Sequence, residues 1–264
     1  MDFTVGQIML KAFDFAPAGA LACNGQLVST QAYGALFGVL AASYGGDGIS
    51  TFGVPNLPPV PTQSGAALDW VMLTDGAPWY SGMEAAVGEV RLLPALPPVN
   101  STLAQTFVPC DGRELSVSSS GFLFALLGTQ FGGDGVTTFA VPKLAPVSVA
   151  NGPPLAYYIC IEGYFPPIDS GDSVTPTPGS YVFETYLGSV LQLPYVPQLT
   201  QRIDGLGLCL GQTMPILTWT AVFSLLGTRF GGNGTTNFAL PARSTGSDGV
   251  TYAVVVNGIY PPRD

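Results

Sequence analysis

One pattern of apolar and polar positions occurs three times along the chain. In the first copy, Tyr33, Leu36, Phe37, Leu40 and Tyr44 are spaced as i, i+3, i+4, i+7 and i+11, which predicts a helix with one apolar face. A glycine-rich loop, a short strand that ends at proline and a longer apolar strand follow it. The pattern returns 87 residues later and again after a further 99 residues. Such self-similarity predicts one small module used three times.

Each copy is predicted to open and close with a strand, because β-branched and apolar residues are concentrated there. The opening strands begin at Val5, Val87 and Leu187. The closing strands are predicted at 70–73, 157–161 and 252–256. A phenylalanine in the short strand after the glycine-rich loop is predicted to be a buried anchor in every copy; these residues are Phe52, Phe139 and Phe238.

The ends of the elements carry their own signals. Cys-Asn-Gly at 23–25 and Cys-Asp-Gly at 110–112 predict tight hairpin turns. Ser29 and Ser116 are candidate N-caps of the helix, and Pro215 in the third copy suits a first helical turn. Gly128 and Gly227 are expected to end their helices in a left-handed conformation. Ala41 occupies this position in the first copy, so a different helix end is expected there.

The Gly-Gly-Asp-Gly loop has two interpretations. Its glycines and its acid suggest a phosphate cradle or a calcium loop, but the Lys-Ser/Thr of a Walker-type loop is missing. Asp47 and Asp134 also correspond to the neutral Asn233, although calcium needs several oxygen ligands at fixed spacing. Asn keeps the turn-forming preference of Asp without its charge. The loop is therefore predicted to be a turn rather than an ion site.

The predicted fold class is α+β, with each module made of a few short strands and one helix. Module one is predicted at 1–82, module two at 83–167 and module three at 181–264. The segment 168–180 is a linker by composition, since Asp, Ser, Pro, Thr and Gly dominate it. Modules of this size fold alone only marginally. Two arrangements stay open: a pseudo-threefold ring, or a row of beads.

Composition indicates a protein that buries surface in an assembly. Only 9% of residues are charged, against about 25% in typical soluble domains, and the mean hydropathy is +0.38. No apolar run reaches the 18 or so residues of a membrane helix, so membrane insertion is not expected. The net charge of −9, without a Lys/Arg cluster, argues against nucleic-acid partners. Self-association or other appendage proteins are the expected partners.

The cysteines are expected to be structural. Cys23, Cys110 and Cys209 occupy one equivalent position, which is typical of a small buried apolar residue. Cys160 aligns with apolar positions of the closing strands, and a Cys110–Cys160 bridge is the only disulfide available within one module. A reduced, buried role is favoured over that bridge.

Most catalytic chemistry lacks its residues in this sequence. The chain contains no histidine, which removes the commonest general base and the favoured zinc ligand. Acids that could act as a carboxylate pair do not recur, since Glu89 aligns with Gln7 and Ser189. The protein is therefore predicted not to be an enzyme. No catalytic, cofactor-binding or metal-binding residue is predicted, and no cofactor is expected.

Aromatic residues outside the repeat positions cluster at the module ends. They are predicted to serve either as interface anchors or in packing between modules, and both alternatives stay open. These residues are Trp79, Tyr80, Tyr164, Phe165 and Tyr260.

The ordered motifs resemble the phage tail collar domain and the microcystin-dependent-protein-like families. The motifs are Cys-Asn/Asp-Gly-Gln/Arg at 23–26 and 110–113, Leu-Phe-x-x-Leu at 36–40, and the loop from Tyr44 to Pro55 with its copies. The end of the chain, at 252–264, is also similar to the end of those proteins. The resemblance implies small α/β modules of tail fibres, often trimeric, and no catalytic residue. Family members usually carry one copy, so three fused copies could form a covalent pseudo-trimer.

Two functions follow from the resemblance and the composition. The favoured one is a structural subunit of an extracellular phage-tail-like appendage or a self-assembling filament. The alternative is a receptor- or glycan-binding tail-fibre module that uses the loops 58–69, 145–156 and 242–251 as its contact surface. No signal peptide is visible at the N-terminus, so delivery by assembly, by lysis or by an unrecognised route is expected.

Overall fold

The computed structural model describes most of the chain. The described residues are 5–74, 87–94, 105–163, 168–169, 183–193, 202–203, 205–243 and 250–263. Strands of all three modules join one large sheet, and each module adds a seven-residue helix. The fold is therefore α+β, as predicted, with sheet predominating.

The three modules contain corresponding elements. Module one has β1 Ile8–Lys11, β2 Ala20–Ala22, β3 Leu27–Ser29, α1 Gly34–Leu40, β4 Thr51–Gly53, β5 Val60–Pro61 and β6 Ala67–Leu73. Module two has β7 Val90–Leu93, β8 Phe107–Pro109, β9 Glu114–Ser116, α2 Gly121–Leu127, β10 Thr138–Ala140 and β11 Ala156–Cys160. After β12 Ile168–Asp169, module three has β13 Phe183–Tyr186, β14 Ser189–Leu193, β15 Arg202–Ile203, β16 Leu206–Leu208, β17 Thr213–Pro215, α3 Thr220–Leu226, β18 Asn237–Ala239, β19 Thr251–Val255 and β20 Gly258–Ile259.

Every module is organised around its closing strand. Strand β6 lies between β1 and β2, β11 lies between β7 and β8, and β19 lies between β14 and β16, all antiparallel. A separate two-stranded ribbon flanks the helix in each module, formed by β3–β4, β9–β10 and β17–β18. The predicted opening and closing strands are therefore confirmed.

The three opening strands β1, β7 and β14 also pair with one another. The opposed residues are Leu10 with Val190, Leu92 with Ile8, and Gln192 with Val90. The first residue of each pair occupies the repeat position of Leu10. The second occupies the repeat position of Ile8, two residues earlier in the module. Each module thus offers the later position to one neighbour and the earlier position to the other.

A pair of phenylalanine rings recurs in the core of every module. One ring comes from the helix and the other from the short strand, with centroids 5.4 to 5.6 Å apart. The pairs are Phe37–Phe52, Phe124–Phe139 and Phe223–Phe238. The strand members have no exposed surface, which confirms them as buried anchors. One continuous apolar core contains residues of all three modules.

The prediction of the helix starts was wrong. Ser29, Ser116 and Pro215 end the strands β3, β9 and β17, and each helix begins five residues later. The intervening residues form a turn instead, because the Tyr33 N–H donates to the Ser29 carbonyl. The Ser29 hydroxyl accepts a hydrogen bond from the backbone N–H of Ala32, at 3.3 Å. The serine therefore stabilises the turn before the helix rather than the first helical turn.

The helices end in the same way in all three modules, so the expectation that module one would differ was wrong. Gly128 and Gly227 end α2 and α3 with the expected positive φ, at 53° and 54°, but their ψ of −135° and −139° lies outside the left-handed helical region. Ala41 adopts φ 48° and ψ −140°, and its N–H donates to the carbonyl of Phe37. Ala41 is the one non-glycine residue with positive φ in the described part of the chain. The alanine therefore tolerates a conformation that suits glycine.

The turn at Cys23-Asn24-Gly25 is tight, but it is not a hairpin. Gly25 has φ 79°, and the Asn24 side chain accepts a hydrogen bond from the Gln26 N–H at 3.1 Å. The strands on either side pair with different partners, β2 with β6 and β3 with β4. The turn therefore carries the chain from the large sheet to the small ribbon, which corrects the predicted hairpin.

The module boundaries stay a prediction. The join near residue 82 and the residues 170–180 lie outside the described residues. The first two residues of the predicted linker, β12, pair with β15 of module three. The segment thus begins as a strand.

Candidate functional site: the contacts between modules

The glycine-rich loop is held together by its acid. Asp47 Oδ1 accepts hydrogen bonds from the backbone N–H groups of Ile49, Ser50 and Thr51 at 2.8 to 2.9 Å. Its Oδ2 accepts a bond from the Ser50 hydroxyl at 2.6 Å. The hydrogen bond from the Ser50 hydroxyl has the largest effect on the Asp47 carboxyl, followed by the backbone bonds. Together they hold its pKa well below the usual range. The carboxylate is thus saturated by its own loop.

The second and third copies of the loop show that the charge is dispensable. Asp134 accepts the same set of bonds, with a threonine hydroxyl in place of the serine. Asn233 Oδ1 accepts from the N–H groups of Thr235, Thr236 and Asn237 at 2.8 to 3.0 Å. An amide oxygen therefore organises the loop as a carboxylate does. This geometry supports the interpretation of the loop as a turn.

All four cysteines are free and buried. Cys110 belongs to the main core, whereas Cys160 belongs to a separate small cluster with Leu93, Phe107 and Tyr158. Burial raises the pKa of the Cys160 thiol to about 12, so the thiol stays protonated. The reduced, structural role is confirmed.

The loop after the short strand of module two binds to module one. Asn151 donates from its side-chain Nδ2 to the carbonyls of Tyr44 and Val54 at 2.8 and 2.9 Å. Its Oδ1 accepts a bond from the Asn56 N–H at 2.9 Å. The neighbouring Gly152 lies so close to Tyr44 that a Cβ would overlap its ring. One side-chain amide therefore forms hydrogen bonds with three backbone groups at the two ends of the glycine-rich loop of module one.

The corresponding loop of module one binds to module three in the same way. Gln63 N–H donates to the Ala242 carbonyl at 2.8 Å, as Ala150 N–H donates to the Asn56 carbonyl at 3.4 Å. Asn56 and Ala242 are equivalent, because each forms the same isolated bridge after its proline. Arg243 Nη1 also donates to the Pro61 carbonyl at 3.0 Å. Both junctions thus join a loop of one module to the surface around the residue after the proline of another module, Asn56 or Ala242. This surface is the receiving face.

Three charged residues meet at the junction between modules one and three. Arg229 Nη2 donates to the Ala67 carbonyl at 2.6 Å and lies 3.1 Å from Asp69 Oδ2. Lys11, whose side chain is only 5% exposed, donates from Nζ to the Phe13 carbonyl at 2.7 Å and lies 3.5 Å from the same carboxylate. Burial lowers the pKa of Lys11, and attraction by Asp69 opposes that shift.

Comparison with known families decides the identity of the repeated module. The model of the phage tail collar domain matches residues 6–59, 88–147 and 193–243, which together make up more than half of the chain. The chain belongs to the phage tail collar domain family. The three matches confirm three tandem collar modules, and membership supports a structural, non-enzymatic role connected with phage tails. No curated protein and no solved structure matches the chain.

A pocket of about 400 Å³ opens in the first collar module, and Lys11 and Asp69 of the charged junction form part of its lining. Asp14, Asn24, Asn56 and Asp69 contribute polar groups to its wall, and Trp70 contributes an apolar surface. The Trp70 ring nitrogen donates to the Pro58 carbonyl, so the ring orientation is fixed. The Lys11 ammonium, the carboxylates and the amides offer hydrogen-bond donors and acceptors beside an aromatic surface, which suits a polar ligand.

The residues singled out at the collar-module ends fall mostly outside the described residues. This holds for Trp79, Tyr80, Tyr164 and Phe165. Tyr260 is described, is 49% exposed, and forms a hydrogen bond between its hydroxyl and that of Ser224 at 2.9 Å. That contact lies within module three.

Among the described residues, no three His, Cys, Asp or Glu side chains lie close enough together to hold a metal ion. No described helix has the length and apolar character needed to cross a membrane.

The junction residues were missed from the sequence, although one signal for them was present. Lys11 stands where the other collar modules have Leu93 and Leu193, so it departs from an apolar repeat position. Asn151 gives no such signal, because its loop varies in length and composition between modules. Departures from the repeat therefore carry more functional information than the repeat itself.

Proposed function

We propose that the chain is a structural subunit of an extracellular phage-tail-like appendage or filament, in which three collar modules of one polypeptide act as a covalent pseudo-trimer. Membership of the collar family supports the connection with tails. The observation that carries the pseudo-trimer is the cyclic pairing of the opening strands β1, β7 and β14.

The register of these pairs is what a threefold arrangement requires. Rotation about a threefold axis would carry each module onto the next and each pair onto the next pair. Leu10 opposite Val190 and Leu92 opposite Ile8 obey that rule, since each joins the later repeat position to the earlier one. The two loop-to-face junctions follow the same head-to-tail order. A closed interface of this kind is how symmetric oligomers avoid open-ended growth.

Exposed apolar residues at the loop tips favour further assembly. Ile49 and Val136 occupy equivalent tip positions and are 85% and 79% exposed. Asp47 and Asp134 lie in the same loops, but their carboxylates accept hydrogen bonds from the loop backbone. Apolar side chains that come together in one patch are a typical contact site between proteins, whereas isolated ones are common on any surface. The tips are therefore the proposed contacts to other appendage subunits.

Electron microscopy of the purified protein tests the proposal. Ordered fibres, rings or stacked particles are expected at high concentration, and replacement of Ile49 and Val136 by Ser should reduce them while far-UV circular dichroism stays unchanged. Thr235 at the third tip is the natural polar precedent for this change. Discrete particles that never associate, and that retain a glycan on an array, would contradict the structural role.

The alternative is a receptor- or glycan-binding tail-fibre module, and the pocket of module one is the observation that favours it. Its carboxylates and amides suit sugar hydroxyls. Parts of two loops assigned to this function, however, contact neighbouring modules through Gln63 and Asn151. A glycan array with the wild-type protein and an Asp14→Asn variant separates the two: binding that the variant loses would support the pocket.

A further inference from the structure

The two loop-to-face junctions share their geometry but differ in charge. In the strand pair β1–β6, Lys11 lies opposite Asp69, and in the equivalent pair β7–β11, Leu93 lies opposite Ala156. On the receiving faces, the residue before the aromatic that opens the glycine-rich loop is charged only in module three. The residues there are Ser43, Gln130 and Arg229.

Module three also presents neutral residues on its own strands. Leu193 and Thr251, which lie opposite each other, correspond to Lys11 and Asp69. The charged pair on the strands therefore exists only in module one, and the charged residue before the aromatic exists only in module three; Lys143, on the face of module two, lies instead at the position of Ala242. These two charged surfaces meet in the structure, at 3.1 Å between Arg229 Nη2 and Asp69 Oδ2.

We propose that the Lys11–Asp69–Arg229 cluster selects the circular order of the three collar modules, by admitting the loop of module one to the face of module three and rejecting other pairings. This inference rests on the proposed pseudo-trimer, but it does not depend on assembly into a filament. Three similar modules can close head-to-tail in two opposite circular orders. Their apolar cores are too alike to distinguish these orders strongly.

The wrong order would leave Arg229 without its carboxylate partner, whereas Lys11 and Asp69 would keep each other. If the loop of module one met the face of module two, Lys11 and Asp69 would face Gln130, and Arg229 would face the neutral pair of module two. A partly buried charge that loses its partner is costly, whereas the neutral junctions lose little in either order. Specificity then comes from the penalty on the wrong partner as much as from attraction in the right one.

A disulfide competition in the full-length chain tests this inference. Gln63→Cys in the loop of module one is combined with Ala242→Cys on the face of module three and Lys143→Cys on the equivalent face of module two. The protein is refolded from denaturant under reduction and then oxidised, and peptide mass spectrometry measures which partner position 63 has joined. With the natural cluster, position 63 is expected to join position 242 almost exclusively, because Gln63 N contacts Ala242 O in the structure.

The decisive variant exchanges the two receiving residues, Arg229→Gln together with Gln130→Arg, and leaves the composition unchanged. The ratio of the 63–242 to the 63–143 disulfide is expected to fall by about tenfold or more, which corresponds to 1.4 kcal/mol. An unchanged ratio would overturn the inference. Arg229→Gln alone is the second variant: it is expected to lower the ratio less, and an unchanged ratio there would overturn the inference even if the exchange variant did not refold.

Arg113→Gln is the matched control. Arg113 pairs with Asp111 at 2.7 Å, both side chains are about half exposed, and Asp111 lies opposite Lys143 on the face of module two rather than in the cluster. Exposed ion pairs contribute little. The disulfide ratio should therefore stay at the wild-type value, and a fall as large as that of the exchange variant would assign the effect to general charge rather than to the cluster.

Discussion

Leu10 of module one lies opposite Val190 of module three in an antiparallel pair of opening strands. Leu92 of module two lies opposite Ile8 of module one in the equivalent way. These contacts join the modules through backbone pairing and not only through side chains. The junction loops add hydrogen bonds around this centre, so that loss of one junction should weaken the whole fold.

Asn151→Ala tests the junction between modules one and two. The substitution removes three hydrogen bonds to backbone groups of Tyr44, Val54 and Asn56, and leaves those groups to find water in a partly buried site. The free energy of unfolding should fall by about 1–3 kcal/mol. Chemical denaturation measures this change.

Gln63→Ala is the control for that experiment, because Gln63 makes its junction contact through the backbone N–H. Its stability should remain near the wild-type value. If both variants were equally stable, the Asn151 side chain would have no role in holding the modules together.

The end of the first helix offers a stabilising substitution. Ala41 has φ 48°, a conformation in which a Cβ is strained, and the equivalent residues are glycines. Ala41→Gly should therefore raise the free energy of unfolding by about 1 kcal/mol. The reciprocal change Gly128→Ala should lower it by about 1–3 kcal/mol, since an added Cβ there meets open space and only the backbone is strained. Thermal melting of both variants should move in opposite directions; a shift in the same direction would show that the backbone conformation is not the cause.

Tyr44 should make the protein sensitive to alkaline conditions. Burial raises the pKa of its hydroxyl from 10.0 to about 12, and the hydroxyl donates to the Pro94 carbonyl. Because the folded pKa lies above the unfolded value, its contribution to stability is complete below pH 10 and is lost as the pH rises through 12. Tyr44→Phe, which places here the residue found at Phe131 and Phe230, should flatten this part of the stability curve.

Denaturant titrations of wild type and Tyr44→Phe across that range provide the measurement. Ionisation of buried cysteine thiols also lowers the stability of the protein at high pH. Only the difference between the two curves therefore reports on the tyrosine. Parallel curves would mean that the hydroxyl is not buried as described.

Asp134 should contribute to acid sensitivity in the opposite sense. Hydrogen bonds from the Thr137 hydroxyl and then the backbone depress the pKa of this carboxyl from 3.8. Its contribution is therefore present above pH 3.8 and is lost as the pH falls toward the depressed value. Asp134→Asn should keep the loop, as Asn233 does, and should make unfolding less dependent on acid. Asp134→Ala should lower stability at neutral pH as well, because the side-chain oxygen that accepts hydrogen bonds from three backbone N–H groups is lost. Equal behaviour of the Asn and Ala variants would contradict the role of the oxygen.

Local patterns predicted the modules but not their arrangement. The helix, the Phe139 anchor and the glycine at the end of α2 were predictable, because apolar spacing and backbone preference act within a few residues. The helix start was mistaken, because Ser29 and its neighbours form a turn whose hydrogen bonds resemble those of a cap. The pairing of Leu10 with Val190 has no local signal, since it depends on contacts between distant strands. At the junctions, only Lys11 departed visibly from its repeat position.

Small-angle X-ray scattering of the monomer tests the closed arrangement of three modules most directly. A compact chain of this length should have a radius of gyration of about 18 Å. The structure predicts that value, because opening strands of all three modules meet in one sheet. A clearly larger radius, with a scattering curve of three separate bodies in a row, would contradict the closed arrangement.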